Sequence, residues 1–200
     1  MKQMLDLYSG LGGASEAFYL SEDWNTVRVE NNPLLKGVPE TWFVDVLELG
    51  SNCLFTNCEF DLIWASPPCR EFSQAYAAPG PLAKRLGKDF EPDMTLVEKA
   101  VELVEMWNPK WWVIENVIGS IPHFEKIGLR PRQIIGPFVL YGNFPFIALD
   151  RELNLRDHKA KNDVWSGDPL RTNYKAKIPL EISRGLLDAI ETQKTLEDYI

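Results

Sequence analysis

Histidine, cysteine and long apolar runs are all scarce in this chain of 200 residues, and each scarcity excludes a class of protein. The two histidines lie in no motif, which argues against a Cys–His hydrolase. Cys53 and Cys58 lack the further ligands that a structural zinc needs. No apolar run reaches membrane-spanning length, and no charged-then-apolar leader opens the chain. We therefore predict a cytoplasmic protein that binds no metal and no membrane, with its three thiols reduced.

Positive charge is also scarce, since the formal net charge is −8. Residues 1–60 carry three basic and nine acidic side chains, whereas residues 151–177 carry seven basic and four acidic ones. Further basic residues cluster at Lys84, Arg85 and Lys88, and at Lys126, Arg130 and Arg132. A positive edge on an acidic body could bind phosphates, and scattered solvated charge is the alternative for each cluster.

Hydrophobic content of 45% and charged content of 25% are ordinary for a globular domain of this size. Short apolar runs predict strands over residues 3–8, 26–29, 41–49, 60–65 and 110–114, and a strand pair within 134–149. Helices are predicted from the first glycine turn to Leu20, from Thr95 onward and from Ile178 onward. Thr95 and Glu98 are predicted to form a capping box at the start of the second of these helices. This order predicts one α/β domain over residues 1–200, with a mostly parallel sheet and helices on both faces.

The most informative stretch is FDLIWASPPCREFS, residues 60–73. Its apolar first half reads as a buried strand, and Pro67 and Pro68 end that strand because neither can donate to a sheet ladder. Cys69 then follows on a stiffened turn at the carboxyl end, where ligands bind in open α/β sheets. A thiol there can be a nucleophile, although an isolated cysteine is more often a small buried hydrophobe.

Three other strand ends carry features that suit a ligand. The run Ser9-Gly10-Leu11-Gly12-Gly13 follows the first strand, and such a turn lets a cofactor approach the backbone, although many glycine turns are only tight turns. Glu30 ends the second strand, where an acid can accept ribose hydroxyls or simply be exposed. Glu115 ends a buried strand 46 positions after Cys69, and a buried carboxylate needs an explanation. In a parallel sheet these ends converge on one site.

Four motifs in this order resemble those of the DNA (cytosine-5) methyltransferase family. They are LDLYSGLGG (residues 5–13), Pro-Pro-Cys with Phe72-Ser73, Glu-Asn-Val (residues 115–117), and the looser Arg130-Pro-Arg132. The resemblance implies a Rossmann-like fold that uses S-adenosylmethionine. It also implies methyl transfer to carbon 5 of cytosine in DNA, through a covalent adduct of Cys69 with carbon 6.

The same resemblance assigns roles to individual residues. Tyr8 would lie against the adenine, Glu30 would hold the ribose and Asp45 the adenine amino group. The cofactor-binding set is Asp6, Tyr8, Ser9, Gly10, Gly12, Gly13, Glu30, Asp45 and Pro67, and the catalytic set is Cys69, Glu115, Arg132 and Pro68. Glu115 would grip the target ring and Arg132 the base carbonyl oxygen. Asn31 stands where the family often has an aromatic residue.

Two segments bear on the substrate. Residues 74–92 show no helical or strand period, and the family has a mobile loop there that closes over DNA. Residues 151–177 stand where typical members have a much larger recognition region. We therefore expect DNA with relaxed sequence specificity, single-stranded DNA, or a separate recognition subunit. The alternatives are a tRNA cytosine-5 methyltransferase and a non-catalytic subunit that binds S-adenosylmethionine.

Overall fold

A seven-stranded sheet runs through the part of the chain that the computed structural model describes, which comprises residues 1–50, 59–149, 155, 158 and 162–192. Its strands are β1 (Lys2–Leu7), β2 (Trp24–Glu30), β3 (Thr41–Phe43), β4 (Leu62–Ala65), β5 (Trp111–Val117), β6 (Pro131–Ile135) and β7 (Phe138–Asn143). Their order across the sheet is β3-β2-β1-β4-β5-β7-β6. Cys53, Cys58 and most of residues 151–161 lie outside the described residues.

Strands β1 to β5 are parallel, and β7 enters antiparallel between β5 and β6. The chain proceeds from β1 toward one edge and then crosses back to β4 on the other side of β1. Such a reversal leaves a crevice at the carboxyl ends of the two central strands, where ligands bind. Leu7 of β1 is in register with Ala65 of β4, so Tyr8 and Ser66 leave the sheet at the same edge.

Alternating side chains of the central strands point to opposite faces of the sheet and build two cores. The helices are α1 (Glu16–Tyr19), α2 (Pro79–Arg85), α3 (Thr95–Trp107), α4 (Ile121–Phe124), α5 (Arg171–Ala176) and α6 (Leu180–Glu191). Leu5 and Ile63 join the core that α3 covers, whereas Met4 and Leu62 join the core that α6 covers. The predicted α/β class, with a mostly parallel sheet and helices on both faces, is confirmed.

Helix α6 also packs beside α1. Ser183 of α6 is fully buried and makes two hydrogen bonds to the backbone around α1. Its Oγ accepts from the Ala17 N–H at 3.0 Å and donates to the Ala14 carbonyl at 2.7 Å. A polar side chain therefore joins two elements that are far apart along the chain.

The capping box predicted at Thr95 is wrong. Thr95 does begin α3, but no side chain caps this helix through the Thr95–Glu98 pair. Asp93 accepts the Thr95 N–H at 2.9 Å instead. An aspartate can satisfy a backbone N–H two residues ahead, so it replaces the cap that the threonine would have supplied.

The segment 74–92 is not wholly irregular as predicted, because it contains α2. Proline occupies the first turn of this helix at Pro79, where its missing N–H and fixed φ are tolerated. The Ala78 carbonyl then accepts the Leu82 N–H at 3.0 Å. Because proline and glycine usually interrupt helices, the sequence predicted no helix here, although this helix begins with those residues. The predicted mobility of this segment stays a prediction.

Two predicted elements are shorter than expected. The third strand covers Thr41–Phe43 rather than residues 41–49, and Asp45 follows it at the start of a 3-10 turn, Val46–Glu48. The first helix covers only Glu16–Tyr19. Among the described residues, no helix combines the length and apolar character needed to cross a bilayer.

Candidate active site

A cavity of about 830 Å³ lies at the carboxyl ends of β1, β2, β4 and β5. Eleven of the thirteen site residues predicted from the sequence line it: Asp6, Tyr8, Ser9, Gly10, Gly13, Glu30, Asp45, Pro67, Pro68, Cys69 and Glu115. Gly12 and Arg132 are not among its lining residues. The structure therefore brings the predicted groups together, and the role of each residue stays a prediction.

The turn after β1 has a backbone that glycine adopts most readily. Gly10 and Gly12 have φ angles of 53° and 72°, in the left-handed region. A Cβ added at Gly13 would stand 2.3 Å from the carbonyl oxygen of Ile178. The glycine turn is therefore packed against the residues that lead into α6, and Gly10, Leu11 and Gly13 face the cavity.

Tyr8 enters this turn with φ of 56°, a conformation that is uncommon for a bulky residue. Its hydroxyl donates to the Leu96 carbonyl of α3 at 2.8 Å. Burial and the nearby charge of Asp45 raise the pKa of Tyr8, so the hydroxyl remains a donor. The bond anchors the ring that the sequence predicts against the adenine.

Glu30 is not simply an exposed acid at a strand end. Its Oε2 accepts the Gly10 N–H at 2.8 Å, and its Oε1 accepts the N–H groups of Asn31 at 3.0 Å and Asn32 at 2.9 Å. A carboxylate has about four lone-pair positions. Glu30 therefore holds the glycine turn in place and keeps acceptor capacity for a hydroxyl group in the cavity.

Asp45 and Asn31 form the neighbouring wall. Asn31 Nδ2 donates to Asp45 Oδ2 at 3.2 Å, and Asp45 Oδ1 accepts the Leu47 N–H at 2.9 Å. Both side chains line the cavity. The asparagine that replaces an aromatic residue of the family thus orients the predicted adenine-binding carboxylate.

Asp6 belongs to a buried polar chain behind the glycine turn. Its Oδ2 accepts from Ser15 Oγ at 2.6 Å, and Ser15 Oγ in turn accepts from Arg28 Nε at 2.8 Å. Asp6 Oδ1 is buried and has no hydrogen-bond partner. Burial raises the pKa of the Asp6 carboxyl to about 7, against the lowering effects of Ser15 and Arg28 and with a smaller raising effect from Glu30.

Asp6→Asn is expected to change how stability depends on pH. A carboxyl whose pKa rises on folding keeps its proton where the unfolded chain has lost it, so the free energy of unfolding falls as the pH rises from about 4 to about 7. The asparagine side chain does not titrate, so the free energy of unfolding of this variant does not decrease in that way. Between pH 5 and pH 8 it should gain about 2 to 3 kcal/mol relative to wild type. Urea unfolding at both pH values measures the difference.

The control for this prediction is Asp23→Asn, which removes a negative charge at an exposed position. Its unfolding free energy should follow that of the wild-type protein across the pH range. The opposite outcome is that the free energies of unfolding of Asp6→Asn and wild type change in parallel from pH 5 to pH 8. That result would contradict the prediction, because it would show that the pKa of Asp6 is the same in the folded and the unfolded chain.

The nucleophile turn is tied directly to the strand that carries Glu115. Pro67 is buried, Cys69 is half-buried, and a 3-10 turn covers Cys69–Phe72. Asn116, fully buried, donates from Nδ2 to the Pro67 carbonyl at 3.0 Å. Because Asn116 follows Glu115 on β5, this bond holds the two predicted catalytic motifs together.

A second contact joins the same two segments. Gly119 lies in the 3-10 turn Ile118–Ser120 after β5, and a Cβ there would stand 2.0 Å from the Phe72 carbonyl oxygen. Only a residue without a side chain permits this approach. Glu115 is 8% exposed and lines the cavity with Cys69.

Sequence reasoning missed the contribution of α5 to the site. Thr172, Asn173, Ala176 and Lys177 line the cavity, although they belong to the segment interpreted as a reduced recognition region. A Cβ on Gly10 would lie 3.8 Å from Asn173 Nδ2, so α5 sits directly over the glycine turn. The polar, aperiodic sequence of this segment gave no signal of that position.

Of the two arginines Arg132 and Arg70, only Arg70 lines the cavity. Arg132 is exposed on β6, which is separated from β5 by β7. Its predicted contact with the base stays a prediction. Arg70, next to Cys69, is exposed and lines the cavity. Within the described ranges there is no group of three or more His, Cys, Asp or Glu side chains arranged to hold a metal ion.

The fold has a known counterpart among solved structures. The chain matches a "putative DNA modification methyltransferase" encoded within a prophage (E. coli) with a TM-score of 0.50 and 18% identity, over 71% of this chain and 46% of that one. At this identity the match shows the fold alone. The architecture is the Rossmann-like one of S-adenosylmethionine-dependent methyltransferases.

The sequence profile of the family described as "C-5 cytosine-specific DNA methylase" matches residues 2–127. The chain therefore belongs to the C-5 cytosine-specific DNA methylase family. It is also 32% identical over 119 residues to a "Probable DNA (cytosine-5)-methyltransferase" of Frog virus 3 (isolate Goorha), a match that covers 57% of this chain and 53% of the viral protein. The chain thus spans about half the length of this relative.

Proposed function

We propose that this protein transfers a methyl group from S-adenosylmethionine to carbon 5 of cytosine in DNA, with Cys69 bonded covalently to carbon 6 during the transfer. The observation that carries the proposal is the shared cavity of Cys69, Glu115 and the glycine turn, in a member of the C-5 cytosine methylase family. A nucleophile, an acid for the ring nitrogen and a cradle for the methyl donor are the parts that this chemistry requires.

The residues around the glycine turn suit S-adenosylmethionine. The buried, unpartnered Oδ1 of Asp6 can accept a hydrogen bond from a cationic amine, and Glu30 retains acceptor capacity for hydroxyl groups. Gly10 and Gly13 line the cavity without a side chain, and Leu11 lines it between them. When bound, S-adenosylmethionine supplies an electrophilic methyl group.

Cytosine is a poor nucleophile at carbon 5, and Cys69 and Glu115 overcome this. The Cys69 thiolate adds to carbon 6, which opens the 5,6 double bond and makes carbon 5 nucleophilic. Glu115 stabilises the charge that develops by holding a proton at ring nitrogen 3. After methylation, loss of the proton on carbon 5 and expulsion of the Cys69 thiolate restore the double bond.

The substrate strand must present its cytosine outside a base stack, because the reacting atoms are inaccessible within a duplex. A duplex would need protein on both sides of the groove, and residues 151–177 give this chain only 27 residues for recognition. Part of that segment, α5, lines the cavity instead. We therefore propose DNA with relaxed sequence specificity as the substrate, read as a single strand or with a second chain that holds the duplex.

The test is incubation of the purified protein with labelled S-adenosylmethionine and, in parallel, single-stranded DNA, duplex DNA or tRNA. We expect label in DNA, recovered after nuclease digestion as 5-methylcytosine. Label confined to tRNA would replace DNA with tRNA as the substrate. Calorimetric binding of S-adenosylmethionine without label in any nucleic acid would identify a non-catalytic binding subunit instead.

A further inference from the structure

An exposed aromatic side chain stands at the rim of the cavity beside the nucleophile. Tyr76 is 78% exposed, and its two neighbours in the chain, Ala75 and Ala77, both line the cavity. Cys69 and Ser73 line the same wall. The Tyr76 ring therefore lies outside the cavity but next to the place where the target base must enter.

This ring is held by a cation rather than by the protein core. The guanidinium carbon of Arg85, in the last turn of α2, lies 3.7 Å from the centroid of the Tyr76 ring. Such a contact fixes the orientation of an aromatic ring and covers one of its faces. Single exposed aromatic residues are common on protein surfaces. An exposed ring that is pinned at the mouth of a reactive cavity is a more specific arrangement.

The charges around the cavity place the entry of an anionic strand on this side. Among the described residues, five acidic side chains line the cavity: Asp6, Glu30, Asp45, Asp93 and Glu115. The basic lining residues within the same ranges are Arg70 and Lys177, and Lys177 Nζ lies 2.8 Å from Glu16 Oε2. The Arg70 guanidinium makes no ion pair within the described residues.

The stretch from Arg70 to Lys88 adds to this positive flank. It holds four basic residues and one acidic residue, Glu71. Lys84 and Arg85 both lie in the last turn of α2. Basic side chains at a helix carboxyl end also stabilise the helix itself, but here Arg85 also contacts Tyr76, whose two neighbours line a cavity rich in acidic side chains. A nucleic acid strand would meet the least repulsion along this flank.

We propose that Tyr76, backed by Arg85, stacks on a nucleobase next to the target cytosine in a single strand, while Arg70 and Lys84 contact the adjoining phosphates. That the target base is a cytosine which enters this cavity rests on the proposed function. An aromatic platform beside a positive flank is how proteins bind single strands, because every unpaired base offers a face. In a duplex both faces are already stacked on neighbouring bases, so the platform favours a strand that has been opened.

The experiment compares two fluorescent single-stranded oligonucleotides that each contain one cytosine. In the second oligonucleotide, the nucleotides on both sides of the cytosine are abasic. Fluorescence anisotropy should show that wild type binds the abasic strand about tenfold or more weakly. Tyr76→Ala should bind both strands with equal, reduced affinity, and Tyr76→Phe, which keeps the ring, should retain the discrimination.

Phe146→Ala is the matched control. Phe146 is 69% exposed and follows β7, whose last residue is in register with the amino-terminal part of β5. Neither Phe146 nor its neighbours Pro145 and Ile147 line the cavity, so its loss should leave the discrimination unchanged. The proposal would be overturned if Tyr76→Ala preferred the intact strand over the abasic strand as strongly as wild type does. It would also be overturned if wild type bound the two strands equally well.

Failure of this proposal is distinguishable from failure of the proposed function. The same oligonucleotides with 5-fluorocytosine at the target report covalent adduct formation. An adduct in wild type with unchanged discrimination in Tyr76→Ala would overturn the stacking role and leave the methyl transfer standing. Discrimination that depends on Tyr76 without any adduct would support the stacking role and count against the cytosine chemistry.

Discussion

Replacement of Cys69 by alanine is expected to abolish the denaturation-resistant adduct that the wild-type protein forms with DNA containing 5-fluorocytosine. In the proposed mechanism, the thiolate adds to carbon 6 and the methyl group reaches carbon 5, but fluorine cannot leave that carbon as a proton does. The Cys69 sulfur is therefore trapped on the ring. Cys69 lines the cavity, so alanine removes the group that is proposed to form the bond. Denaturing gel electrophoresis with labelled DNA measures the adduct.

The matched control is Cys58→Ala, which removes a different thiol and should leave the adduct in place. DNA with ordinary cytosine should give no adduct that survives denaturation, because loss of the carbon 5 proton releases the enzyme. An adduct of undiminished yield in Cys69→Ala would remove Cys69 from the chemistry and would direct attention to another nucleophile.

Gly119→Ala is expected to disturb both segments of the proposed catalytic centre with a single methyl group. The added Cβ would stand 2.0 Å from the Phe72 carbonyl oxygen, a separation that requires one of the two segments to shift. One segment carries Cys69 and the other follows Glu115. Overpacking of this kind destabilises by about 1 to 3 kcal/mol. A misplacement of about 1 Å between reacting groups can slow catalysis by roughly 100-fold.

The measurements are urea unfolding and the rate of adduct formation under conditions where the variant is folded by circular dichroism. Gly37→Ala is the control, because a Cβ at Gly37 would have no neighbour within 4 Å. It should match the wild-type protein in both measurements. A Gly119→Ala protein that forms the adduct at the wild-type rate would mean that the contact does not hold Cys69 and Glu115 in position.

The convergence of the site was predictable from the sequence because it depends on strand ends. Cys69 and Glu115 each follow a short apolar run, and parallel strands bring such residues to one edge. The glycine turn could be placed at the same edge because it follows the first strand, although such a turn alone does not indicate a cofactor site. These features are local patterns whose consequence follows from the topology of the sheet alone.

The features that the sequence did not predict depend on contacts between distant segments. Nothing in the residues before Pro179 indicates that α5 lies over the glycine turn. The Glu30 carboxylate accepts from the N–H groups of Gly10, Asn31 and Asn32, which requires that the turn after β1 lie next to the turn after β2. Helix α2 was hidden because proline and glycine, which usually interrupt helices, stand in its first turn, where proline is tolerated.

The contact between Gly13 and Ile178 has a consequence for biosynthesis. The glycine turn packs against residues from the later part of the chain, since a Cβ on Gly13 would meet the Ile178 carbonyl and Ser183 bonds to the backbone around α1. Translation produces Cys69 and Glu115 before these residues. On the proposed function, the groups proposed to react are therefore synthesised before the residues that complete the proposed cofactor pocket. We expect S-adenosylmethionine to bind only after α6 has been translated.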